Sequence, residues 1–343
     1  MNHPALTLLS DLLDVPSPSG QESAIATIIR QKLDELGVVH ETDAIGNVLV
    51  RLNGRNPDAP LTIFASHMDE IGFVVHKIEA DGSLRVGRTG GLLPWKLGES
   101  PVEIVGDVEN IIGIVSMGST HGGNFDKPIT WQDTHILTGL SPEQLAAKGI
   151  RVGSTGVPIR QHRGPIVFGD EADPLVGAWT FDDRAGCVTL LRFVERLNEE
   201  NIVPSTPLLL AFTVREEVGG HGAKHLAMRE QPEIFISVDG APMPAETDLK
   251  LDGRSAIWSK DRLAHYDQEL LQDFYQAAKN AGEGLQTAVY EGAASDASLL
   301  HYAGLAPRIA CIGHVRENSH GYEVLRLSVL DNLLEILVAY CAL

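Results

Sequence analysis

Phe181-Asp182-Asp183-Arg184-Ala185-Gly186 decides how the rest of the chain is read. Two adjacent carboxylates before a helical pattern repel each other and lose hydration if buried. They persist together only where a cation or a proton compensates them. The stretch therefore predicts a metal centre, and the first question is which other segments converge on it.

Upstream, Leu61-Thr62-Ile63-Phe64-Ala65 reads as a strand that runs into Ser66-His67-Met68-Asp69-Glu70. His67 thus falls at a strand's carboxyl end, where open α/β sheets form their ligand sites. Downstream, the nearly unbroken apolar run Leu208 to Val214 suits a central strand covered on both faces, and it delivers Glu216 and Glu217. Ile234 to Val238 delivers Asp239, and Arg308 to Gly313 leads into a loop holding His314 and His320. Helical periodicity marks an amphipathic N-terminal helix, a segment through Ile25, Ile29 and Leu33 that ends at Gly37, and a helix following Arg184. Two more cover Gln268 to Gly282 and Leu327 to Tyr340. The alternation predicts an α/β catalytic unit.

From Gly72 the texture changes to short alternating runs between Gly, Asp and Pro, such as Val102-Glu103-Ile104-Val105 and Ile111 to Val115. One helix, Ser141 to Lys148, interrupts them, and Ile166-Val167-Phe168 is expected to close the segment. The expected division is a catalytic domain over 1–71 and 175–343, with a β-barrel-like insertion over 72–174.

Composition narrows the function classes. With 343 residues there is ample length for a core and for more than one domain. A formal charge of −19 argues against nucleic acid or an anionic membrane as partner, since both require clustered Lys and Arg. The three cysteines, with no CxxC spacing, argue against a disulfide framework and a thiolate zinc site. The N-terminus lacks a basic region ahead of an apolar run, and no stretch approaches the roughly 20 apolar residues of a membrane span, so a cytoplasmic protein is expected.

Imidazole and carboxylate ligands suit zinc, cobalt or manganese, and a carboxylate shared between two ions sets them about 3.5 to 4 Å apart. One further carboxylate must take a proton from water, and Glu216 and Glu217 could divide the base and ligand roles.

HMDEIGF at 67 to 73, FDDRAG at 181 to 186, REEVGGHGA at 215 to 223, SVDGA at 237 to 241 and SHGYE at 319 to 323, in this order, resemble the M42 glutamyl and tetrahedral metallo-aminopeptidases of the co-catalytic zinc exopeptidase clan. The resemblance covers the whole chain. It implies a three-layer α/β/α catalytic domain with an inserted dimerisation domain, two divalent ions per subunit (zinc, with cobalt or manganese as options) and short peptides as substrates. It also implies homo-oligomers from dimers up to a tetrahedral dodecamer. Carried over residue by residue, His67, Asp182 and Asp239 would hold one ion and Asp182, Glu217 and His320 the other, with Asp182 as bridge. Glu216 would be general base, Asp69 would orient His67, and the Asp182-Asp183 peptide would be cis.

The family pattern Arg-Tyr-x-His-Ser-x-x-Glu is replaced by Arg316-Glu317-Asn318-Ser319-His320-Gly321-Tyr322-Glu323. Aligning on His and the later Glu selects His320, with His314 as rival. His221 and His225, four apart, have no role in the pattern, and Ser295 or Asp296 is accounted for as a helix cap. The favoured function is metal-dependent removal of N-terminal residues from short peptides. The alternatives are a metallo-amidohydrolase dedicated to an acylated or amidated dipeptide and, in a different class, a non-catalytic oligomeric scaffold.

Overall fold

The computed structural model describes residues 3–119, 121 and 127–343. Its centre is an eight-stranded sheet in the order Glu41–Thr42, Val48–Leu52, Leu208–Thr213, Thr62–His67, Ile234–Val238, Arg308–Gly313, Ser255–Lys260 and Leu285–Val289. The four strands delivering the candidate site residues are consecutive and mutually parallel. Their carboxyl ends therefore open on one edge, which is why residues far apart in sequence meet.

Thr62–His67 and Leu208–Thr213 are buried at every position, as strands covered on both faces must be. Helices Phe181–Glu199, Val329–Cys341 and Gln268–Ala281 pack in series against this sheet, with Phe64 in ring contact with Phe193 and Tyr340. His221–Glu230 and Asp296–Tyr302 form a second helical group, the latter lying on Ile234–Val238 and Arg308–Gly313. The cysteines are unpaired and buried. Among the described residues no helix is long and apolar enough to cross a membrane.

The β-rich segment forms a closed six-stranded barrel: Gly72–Ile78, Leu84–Thr89, His135–Leu137, Ile111–Ser116, Pro101–Ile104 and Thr155–Pro158. Pro101–Ile104 and Ile111–Ser116 alternate in burial, so Val102, Ile104 and Val115 fill the interior while Ile112 and Ile114 face outward. Ile166–Phe168 departs from the expectation that it closes this segment. It pairs antiparallel with Leu175–Ala178 and so becomes the edge of a separate five-stranded sheet.

That sheet continues through Glu323–Arg326, Val315–Glu317 and Ala241–Pro242. Val315–Glu317 and Glu323–Arg326 are antiparallel neighbours, so the loop between them is a hairpin with His320 near its tip. The second sheet thus carries the last candidate ligand to the edge of the first.

Candidate metal centre

His67 is 3% exposed at the end of its strand. Its Nε2 lies 3.0 Å from Oδ1 of Asp182, and its Nδ1 lies 3.0 Å from the backbone carbonyl oxygen of Asp69. The Asp69 carboxyl stands farther off, at 3.5 Å. The ring is therefore oriented by the Asp69 backbone more than by its side chain. The carboxyl has other partners: it accepts the Ser19 hydroxyl at 2.6 Å and the backbone N–H groups of Glu216 and Glu217 at 2.9 and 3.2 Å.

Asp182 and Asp183 face different ways. The Asp183 carboxylate turns inward to accept the Ser66 hydroxyl and the His67 and Gly186 N–H groups. Asp182 faces the sheet edge, and the peptide between the two is cis. The Asp182 N–H donates to Glu323 Oε2 at 3.0 Å, and Glu323 Oε1 accepts the His320 N–H at 3.0 Å. One buried carboxylate thus holds the backbones on both sides of the site.

Two sets of potential ligands result. His67, Asp182 and Asp239 offer atoms all within 4.8 Å of one another, and so do Asp182, Glu217 and His320. Asp182 belongs to both: Oδ1 faces His67, and Oδ2 lies 3.4 Å from Nε2 of His320. His320, not His314, enters a set. His314 is fully buried with its ring 6.4 Å from that of Phe181, and both its ring nitrogens lack partners. Among the described residues His221 and His225 join no set. Ser295 is the cap of its helix, while Asp296 accepts from Thr213 Oγ1 at 2.9 Å.

Electrostatics test whether this constellation fits cations. Burial pushes the Glu217 carboxyl up to about 7, that of Asp239 up to about 6 and that of Glu216 well above the ordinary range. Burial also disfavours charge on Asp182, but Arg316, His320 and His67 hold it well below its usual value. Glu217 lifts the His320 imidazole to about 9. Glu217 Oε1 is buried with no hydrogen-bond partner. Crowded carboxylates with strained protonation, arranged as imidazole and oxygen donors around one shared carboxyl, are a donor set suited to a pair of divalent ions.

Three participants had no individual role read for them in the sequence. Ser19 belongs to the Pro16-to-Gly20 loop, a stretch that shares in the family resemblance but whose serine had no role assigned to it. Arg316 and Glu323 lie on the two neighbouring strands that flank the His320 hairpin, and only the tertiary structure shows that both reach Asp182. The site opens into a cleft of about 720 Å³ whose walls include Trp258, Tyr290, Met243, Lys96 and Arg262.

The family model described as M42 glutamyl aminopeptidase matches residues 46–336. The chain belongs to this peptidase family. Within it, similarity to the glutamyl aminopeptidase of Lactococcus lactis subsp. cremoris is 29% identity over 237 residues, which is 67% of this chain and 65% of that protein. The match therefore spans less than two thirds of that relative's length. A putative aminopeptidase of Acetivibrio thermocellus is 26% identical over 337 residues, 96% of each chain. Among solved M42-like structures, the Pyrococcus horikoshii TET1 peptidase, described as assembling into a tetrahedron or a large octahedral shell, superposes with a TM-score of 0.86. It is 25% identical, over 98% of this chain and 99% of that one.

Proposed function

We propose that this chain is a metal-dependent aminopeptidase that removes N-terminal residues from short peptides. The observation carrying this reading is the pair of ligand sets sharing Asp182 at the carboxyl edge of four parallel strands, beside a Glu216 that belongs to neither set. His67, Asp182 and Asp239 would hold one divalent ion and Asp182, Glu217 and His320 the other, with zinc, cobalt or manganese all compatible with these donors. When bound, the ions supply Lewis acidity to the scissile carbonyl and to water.

The remaining work falls to the chain. Glu216 takes the proton from the attacking water and delivers it to the leaving amine nitrogen. Its backbone N–H is fixed by Asp69, which Ser19 holds in turn. Glu246 and Glu317, cleft carboxylates outside the two ligand sets, favour the substrate's free ammonium group. The names of the Lactococcus lactis and Acetivibrio thermocellus relatives, both aminopeptidases, support the same reaction.

The segment 72–174 is proposed as the oligomerisation unit. Ile114 and Leu137 are directly paired on neighbouring barrel strands and are 45% and 49% exposed, an apolar surface that a second copy would cover. Assembly of the TET1 peptidase supports a homo-oligomer here.

The deciding measurement is hydrolysis of aminoacyl and N-acetyl-aminoacyl dipeptides by metal-stripped protein, before and after adding zinc, cobalt or manganese. Metal-dependent release confined to free amines is expected. Turnover of blocked dipeptides alone would replace the reading with an amidohydrolase, and no turnover with any metal would replace it with a scaffold.

A further inference from the structure

Among the described residues, Arg316 is the cation of fixed charge bonded to the shared carboxylate at the centre of the site. It is 2% exposed, and its Nη2 hydrogen-bonds to Oδ2 of Asp182. Its Nε stands 2.9 Å from Glu323 Oε1 without forming an aligned hydrogen bond, and Nη1 has no partner. The guanidinium is pressed against Gly240, where a methyl group would overlap it, so the residue after Asp239 is kept small to admit this side chain.

The placement is asymmetric. Asp182 Oδ1 faces His67 and the first ligand set, while Oδ2 faces His320 and the second. Arg316 binds only Oδ2. The second set therefore has a permanent positive charge on its shared oxygen, whereas the group facing Oδ1 in the first is the His67 imidazole, which can give up its proton. A divalent ion entering the second set must share Oδ2 with the guanidinium, at separations where like charges interact strongly in a water-poor site.

We propose that Arg316 is a resident cation of the second ligand set, which compensates Asp182 when that set is empty and competes with the ion that Asp182, Glu217 and His320 would hold. This rests on the two-ion reading given above. It makes the second ion the later to bind and the earlier to leave, by a property of this chain's own side chain. Glu323 holds the Asp182 and His320 backbones through hydrogen bonds that do not pass through the guanidinium, although Arg316 Nε lies beside the same Oε1, so the lysine variant, which keeps the charge, controls for loss of that ion pair.

The test is calorimetric titration of metal-stripped full-length protein with zinc chloride, for wild type, Arg316→Met and Arg316→Lys. Arg316→Met is expected to tighten the second binding step at least tenfold while the first changes less than threefold. Arg316→Lys, which keeps the charge, is expected to stay within threefold of wild type in both. A second step unchanged or weakened in Arg316→Met overturns the proposal. Should Arg316→Met fail to fold, wild-type crystals grown with one equivalent of zinc answer the same question. Anomalous density confined to the His67 set, with Nη2 still on Asp182, is expected, and density at the His320 set or shared equally between the two overturns it. One ion at saturation in both wild type and Arg316→Met would instead overturn the two-ion reading, a failure visible in stoichiometry rather than in a ratio of constants.

Discussion

Ser19 donates its hydroxyl to Oδ2 of Asp69 over 2.6 Å, joining the loop after the first helix to a carboxylate that accepts the backbone N–H groups of both Glu216 and Glu217. Asp69 is completely buried, and its contacts fix the turn that presents Glu216 and Glu217, the proposed base and ligand, side by side. Ser19→Ala leaves Oδ2 with only the longer bond from Glu217. We expect kcat to fall about tenfold with the bound-metal content unchanged, the scale usual for groups that support a metal ligand from behind. Steady-state kinetics with metal analysis checks this, and an unchanged kcat would show that the hydroxyl is dispensable.

Glu216 gives a sharper contrast. Its Oε2 lies 4.0 Å from His67 Nε2, yet it belongs to neither ligand set. Glu216→Gln keeps the shape and removes the base, so kcat is expected to drop roughly a hundred- to ten-thousand-fold while both ions still bind. Loss of an ion along with activity would reassign Glu216 as a ligand.

The contrast between Glu216 and Ser19 shows what was legible in the sequence. Strand-end residues could be read because a buried parallel strand is an apolar run, and the polar residues that interrupt it mark the carboxyl edge; His67, Glu216, Glu217 and Asp239 were all visible that way. The inward turn of Asp183, the Ser19 bridge across 50 positions and the reach of Arg316 and Glu323 to Asp182 depend on tertiary packing, which leaves no local period. Ile166–Phe168 shows the same limit for strands. Its apolar pattern announces a strand but not a partner, and it pairs outside the barrel. The strand Ser255–Lys260 and the edge strand Leu285–Val289 beside it carried no motif and went unread.

His314 sets a pH dependence of stability. Burial, reinforced by Arg316, pushes its imidazole down to about 3, against an ordinary value near 6.5. The folded state resists the proton that the unfolded chain accepts, so this contribution is intact above about 6.5 and is lost as pH falls towards 3. The slope approaches about 1.4 kcal/mol per pH unit. His314→Leu removes the titration, and urea unfolding at pH 7, 6, 5 and 4.5 should show the variant gaining on wild type as pH falls. A difference that does not vary with pH would contradict the assignment.

Gly91 makes the barrel part of the site. It follows the barrel strand Leu84–Thr89, and a methyl group added to it would overlap the His320 ring; at neighbouring Gly90 one would come within 3.0 Å of Glu217 Oε2. His320 itself sits at a φ of +58°, a conformation held by its hairpin and by Glu323, so its ring has little freedom to retreat. Gly91→Ala is therefore expected to displace the imidazole from Glu217 and Asp182, weakening the second metal-binding step about tenfold and leaving the first intact. Gly292→Ala is the control, since it also lines the cleft but would meet nothing within 4 Å. Titration of both variants with zinc separates the outcomes. Equal weakening would mean that cleft shape rather than the Gly91–His320 contact sets affinity, and no change in Gly91→Ala would show that the hairpin can shift without losing its ligand.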